Sequence, residues 1–178
     1  MSNYTRVFID NHFYFITAVI GNRKLSLLTD YIDNFKQALT ISKQQYKYEL
    51  YAITIMPDHF HMIINPENKN DYPRIVSSIK REFSKQLDDK IKSELAKTLT
   101  LSQIKHRESG VWQRRFYEHT IRNQNDLNHL TDYIHFNPVK HGLVNKAIDW
   151  KHSSFKKILK NKYYTENWCD FTENTNYD

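Results

Sequence analysis

Two apolar, β-branched runs, residues 48–55 and 59–65, stand on either side of Met56-Pro57-Asp58, and no other feature restricts the fold more. Proline and aspartate are turn formers, and a link this short joins neighbouring antiparallel strands. Ile53, Ile55, Met62, Ile63 and Ile64 give the pair the composition of central strands. Alternate side chains on a strand share a face, so His59 and His61 point one way and Phe60 points the other, toward a core. Two imidazoles aimed together form a two-nitrogen metal site. The same pair also reads as satisfied polar groups at a sheet edge.

The remaining periodicities supply the other layers. Residues 13–20 form an aromatic and β-branched strand, and residues 30–45 carry helical spacing through Tyr31, Phe35, Leu39 and Ile41. Residues 72–87 form a second helix with Ile75, Ile79 and Phe83 inward, and residues 112–121 supply the last strand. The order predicts an α+β fold: a ferredoxin-like βαββαβ sandwich, an antiparallel sheet with helices on one face, plus an added helix and a C-terminal extension. Residues 88–109 are longer than a connection requires and read as an inserted helix or a mobile loop. Residues 1–150 are expected to form the main domain. Residues 151–178 form a basic extension, either part of that domain or a flexible clamp.

The added helix runs through residues 127–138 with Leu127, Leu130 and Ile134 at helical spacing, capped by Asn123 or Asn125. Pro138 disfavours α geometry at Asn137, which predicts the helix end there. Tyr133 and Asn137 fall one turn apart, placing a phenol beside an amide. Among twelve tyrosines that spacing alone singles out nothing.

Composition narrows the class. The chain is 178 residues long, about one domain, with net charge +6 and a sequence pI near 9.2, a balance that favours a polyanionic partner. One cysteine, Cys169, excludes an internal disulfide and a cysteine-rich zinc finger and fits a reducing compartment. The first residues hold no apolar signal region, and no run approaches the roughly 20 apolar residues that span a bilayer. A soluble, cytoplasmic protein without membrane contact is expected.

Three blocks carry a resemblance: Met56-Pro57-Asp58-His59-Phe60-His61, then residues 111–122 beginning Val111-Trp112-Gln113-Arg114-Arg115-Phe116, then residues 132–144 containing Tyr133-Ile134-His135-Phe136-Asn137-Pro138-Val139. In that order they resemble the single-tyrosine HUH transposases of the IS200-like kind, and most closely the REP-associated tyrosine transposases. The resemblance covers roughly residues 4 to 160. It implies the ferredoxin-like fold and a single-strand DNA endonuclease and strand-transfer activity at hairpin or palindromic DNA. It implies His59, His61 and Asn137 as ligands of Mg²⁺ or Mn²⁺. Tyr133 would be the nucleophile that forms a 5′-phosphotyrosine intermediate. The protein would act as a monomer or homodimer.

Substrate contacts are read from charge. Lys80, Arg81 and Lys85 lie at helical spacing, Arg114, Arg115 and Arg122 flank the last strand, and Lys156, Lys157, Lys160 and Lys162 interleave with Tyr163, Tyr164 and Trp168 in the extension. Each set reads as a DNA-binding surface or as a solvated face. His129, one turn before Tyr133, is a possible accessory base or phosphate contact, whereas His135 and His141 have no comparable argument from spacing. Two other functions fit parts of the pattern: a catalytically silent nucleic-acid binding relative, and a zinc-dependent hydrolase built on the two histidines.

Overall fold

A computed structural model describes residues 7–160 together with 164, 165 and 168. The two central runs form the antiparallel pair β2 (Tyr48–Ile55) and β3 (His59–Pro66), with a bulge in β2 at Tyr51 where the register shifts between Leu50 and Ala52. Strand β1 (Tyr14–Val19) lies on the other side of β3, and β4 (Tyr117–Thr120) closes the sheet in the order β2-β3-β1-β4. Every pairing is antiparallel, the order expected of a ferredoxin-like sandwich. Between β1 and β2 come α1 (Leu27–Asp30) and α2 (Ile32–Gln45). Between β3 and β4 come α3 (Tyr72–Gln86), α4 (Asp89–Lys97) and α5 (Leu101–Lys105). After β4 the chain forms α6 (Gln124–Lys140) and α7 (Phe155–Lys160).

The helices expected on one face are there, with α1, α2, α3 and α4 contributing to one core, and α6 and α7 cover the other face as well. Ile16 and Ala18 of β1 with Phe60, Met62 and Ile64 of β3 pack on Phe35 and Ala38 of α2 and on Ile75, Ile79 and Phe83 of α3. The alternate positions Phe15, Ala52 and Ile63 are apolar as well, and they pack on Leu127, Ile134 and Val139 of α6 and on Phe155 and Ile158 of α7. Strands that are apolar on both faces require cover on both. Phe60 shows the density of the first layer, with ring centroids 5.1 Å from Phe35 and 5.9 Å from Trp112. Truncating it to alanine costs about 3–5 kcal/mol.

Two local expectations are corrected. The last strand does not begin at Trp112, which makes one isolated bridge to Ile20 before residues 113–116 leave the ladder. The Trp112 indole is buried against Phe83, and its N–H, which needs a partner there, donates to the Lys80 carbonyl at 3.0 Å and the Ser84 hydroxyl at 3.1 Å. That pairing draws the chain toward α3 and off the sheet. Nor does α6 stop at Asn137. It continues through Pro138 to Lys140 and ends where Gly142 takes φ +68. Gly142 N–H donates to the Val139 carbonyl at 2.9 Å and Leu143 N–H to the Pro138 carbonyl at 2.9 Å, a Schellman closure. Proline removes one donor in the last turn, and the glycine terminates the helix.

Residues 88–109 form α4 and α5, capped by Asp88 and by a Thr100–Gln103 capping box. Residues 151–160 dock on β2: Ile55 N–H donates to the His152 carbonyl, and Ser154 exchanges bonds with Ile53. Among the described residues no helix is long and apolar enough to cross a membrane.

Candidate active site

Strand alternation brings His59 and His61 to the face covered by α6. Both are buried, with 5% and 4% exposure and ring centroids 4.8 Å apart. Each ring is held through the same nitrogen. Nδ1 of His59 lies 2.6 Å from Asp58 Oδ1, and Nδ1 of His61 lies 2.7 Å from the Thr17 hydroxyl. A carboxylate only accepts, so Nδ1 of His59 carries the proton and Nε2 keeps the lone pair in the neutral ring. Arg23 Nε donates to the other Asp58 oxygen at 2.7 Å. Burial alone would raise the Asp58 carboxyl, but Arg23 and His59 together hold it below the usual carboxylate range. His61 is pushed down to about 3 by burial, then by the His59 and His141 rings, against the opposing pull of Asn137 and Asp58. It is therefore a neutral imidazole.

Helix α6 delivers the other members. Its start is fixed by Asn123, whose side chain accepts from Asp126 N–H at 3.0 Å. Leu127, Ile134 and Val139 then bury the face that turns Asn137 toward the sheet. Asn137 is 1% exposed. Among the described residues six buried side-chain atoms lack a hydrogen-bond partner. Four of them are His61 Nε2, both amide atoms of Asn137, and the hydroxyl of Thr54, the cross-strand neighbour of His61. These atoms together form a polar set enclosed between the sheet and α6. Two imidazole nitrogens and an amide oxygen are a donor set that would suit a divalent ion. Three of His, Cys, Asp and Glu do not group as a metal set anywhere among the described residues.

Tyr133, one turn before Asn137, presents its ring edge-on 5.2 Å from His61 and 5.9 Å from Phe15, and is 36% exposed. The Lys140 ammonium sits 5.9 Å over the same ring. A phenol open to solvent thus stands beside the cluster of unpaired buried polar atoms. His129 is exposed one turn away. His141 joins the cluster, with its ring 5.6 Å from His59. Sequence reading passed over it because a helix ended at Asn137 has no next turn; with α6 running to Lys140, the spacing Tyr133, Asn137, His141 is the signal. Asp58 and Thr17 were likewise passed over, although Asp58 adjoins His59 in the chain. His135 belongs to the core, with Nε2 2.9 Å from the Ser154 hydroxyl and the ring against Phe155.

The basic residues divide. Lys80 is a tether: its ammonium donates to the Gln113 carbonyl at 2.7 Å, and burial lowers it to about 8. Arg81 and Lys85 are exposed and share Glu82. With Lys92, Arg107 and Arg114 they line an open groove of about 640 Å³. Helix α3 lies on the layer across the sheet from His61. Arg114, Arg115, Arg122, Lys156, Lys157 and Lys160 are exposed. Lys162 and Tyr163 lie outside the described residues.

Residues 8–137 match the model of the IS200-like transposase family. The chain is 42% identical over 94% of its length to a Haemophilus influenzae protein assigned to the REP-associated tyrosine transposases, covering 93% of that protein. It is 32% identical over 95% of its length to the REP-associated tyrosine transposase of Escherichia coli, covering 92% of it. A solved structure of a REP-associated tyrosine transposase bound to a REP hairpin superimposes with a TM-score of 0.77 and 31% identity, over 98% of this chain and 96% of that one.

Proposed function

The chain belongs to the IS200-like transposase family, among the REP-associated tyrosine transposases, and from that membership we propose that it cuts and rejoins single-stranded DNA at hairpin repeats through Tyr133. The observation that carries the reading is the exposed Tyr133 phenol beside the buried, unpaired His61 Nε2 and Asn137 amide. His59, His61 and Asn137 are the residues that would hold Mg²⁺ or Mn²⁺. When bound, the ion supplies positive charge against the scissile phosphate, where negative charge develops.

The chain's own groups do the rest. Asp58 and Thr17 fix the two imidazoles so that Nε2 of each is the free atom. Tyr133 oxygen attacks phosphorus and forms the phosphotyrosine ester, while the bond to the upstream 3′-oxygen breaks. That oxygen leaves as a 3′-hydroxyl, taking up one proton, and the phenol gives one up. The Lys140 ammonium lies over the face of the Tyr133 ring. A phenolate leaves more readily than an alkoxide, so the ester retains the capacity for rejoining when another 3′-hydroxyl attacks. The REP hairpin held by the solved relative motivates the substrate class.

Purified protein is expected to form a covalent adduct with hairpin DNA carrying single-stranded flanks, in the presence of Mg²⁺ or Mn²⁺ and not in chelator. Tyr133→Phe should bind the DNA and form no adduct. Peptide mapping that places the DNA on another tyrosine, or full adduct formation by metal-free protein, would overturn this reading.

A further inference from the structure

Tyr117 opens β4, and the strand register puts it in line with the site. It faces Thr17 across β4 and β1, Thr17 faces His61 across β1 and β3, and His61 faces Thr54 across β3 and β2. Cross-strand partners point to the same side. One row of side chains, Thr54, His61, Thr17 and Tyr117, therefore crosses the sheet on the α6 side. Cover by α6 ends before the row does: Thr54 is fully buried and His61 nearly so, while Tyr117 is 60% exposed.

The exposed ring is anchored. It meets Phe15 in a T-shaped contact at 6.2 Å, and Phe15 in turn meets Tyr133 at 5.9 Å and stacks on His61 at 5.6 Å. Those two separations from Phe15 bound the distance between the Tyr117 and Tyr133 rings at about 12 Å. An aromatic ledge thus runs from the candidate nucleophile to the rim of the sheet. Arg115 is exposed in the loop that leads into β4, two residues before Tyr117. A flat ring anchored from below, open above and next to a phosphate-attacking centre suits a stacked nucleobase, whereas a water-filled cleft would leave it unused.

We propose that Tyr117 is the stacking platform for a base next to the scissile phosphate, with Arg115 contacting the backbone beyond it. The inference rests on Tyr133 as the attacking residue. Stacking needs the ring and not the hydroxyl, so Tyr117→Phe should behave as the parent protein and Tyr117→Ala should not.

The test uses the full chain and a DNA hairpin with single-stranded flanks in which 2-aminopurine replaces one base at a time. Parent protein and Tyr117→Phe should quench the fluorophore at one or two positions beside the cleaved bond. Tyr117→Ala should lose that quenching and bind about tenfold more weakly. Unchanged melting of the Ala variant, expected for an exposed side chain, removes misfolding as a cause. If Tyr117→Ala quenches and binds like a parent protein that forms the Tyr133 adduct, the platform is refuted and the function stands. If the parent forms no Tyr133 adduct at all, the functional reading fails and takes this inference with it.

Discussion

At the residue scale the site is defined by which nitrogen of each histidine is occupied. Asp58 and Thr17 engage Nδ1 of His59 and His61, and Arg23 in turn holds Asp58. Partners of this kind orient a ligand ring and raise its basicity, and their loss costs 10–100-fold in metal affinity as a general magnitude. Asp58→Ala and Thr17→Val should each weaken Mn²⁺ binding by roughly tenfold or more, read by electron paramagnetic resonance of free Mn²⁺, with little change in the circular dichroism of the fold. Equal Mn²⁺ affinity in both variants and the parent would show that the rings need no such support.

At the element scale α6 matters because it carries Tyr133 and Asn137 one turn apart and ends in the cap residue His141 a turn further on. Its C-terminus depends on Gly142, whose φ of +68 is one that residues with a side chain rarely adopt, although a Cβ there would meet nothing within 4 Å. Gly142→Ala should therefore cost only the backbone strain, about 1 kcal/mol. For a domain of this size that is a fall in Tm of about 2–4 °C; an unchanged melt would mean the helix end relaxes freely. Helix α7 calls for a different experiment. Phe155 and Ile158 are buried in the second core, while Lys156, Lys157 and Lys160 face solvent. Deleting residues 156–178 would disturb packing along with charge. Lys156→Gln, Lys157→Gln and Lys160→Gln combined leave packing intact, and if this surface binds DNA the variant should show weaker binding and a shallower salt dependence, with an unaltered Tm.

At the scale of the whole molecule, acid sensitivity follows from imidazoles sealed in the cores. Burial lowers His135 to about 3, and His61 is held at about 3 as well. In the unfolded chain each takes up a proton as pH drops through the ordinary value of 6.5, while the folded state resists until about 3. Stability from these groups is thus complete above pH 6.5 and lost progressively below it, by up to about 1.4 kcal/mol per pH unit for each ring. Denaturant titrations of His135→Gln between pH 7 and 4 should show a shallower pH slope than the parent, whatever the variant's stability at pH 7. A parallel slope would mean that His135 protonates without unfolding.

The chain's local chemistry determined much of this directly. Apolar alternation at Ile53 to Ile64 dictated the central strands and aimed His59 and His61 together, because strand geometry has a period of two whatever it packs against. The helical spacing of Leu127, Leu130 and Ile134 likewise set Tyr133 one turn from Asn137. The blocks around these residues carried the family. What local rules could not reach depended on partners distant in the chain. The Trp112 indole left the ladder for the Lys80 carbonyl, Lys80 became a tether instead of a free cation, and α6 ran past Pro138 to bring His141 near His59. Only the packed sheet decided that α6 would cover His61 and leave Tyr117 open. Burial is set by what lies across the fold, and a side chain's neighbours in sequence do not encode it.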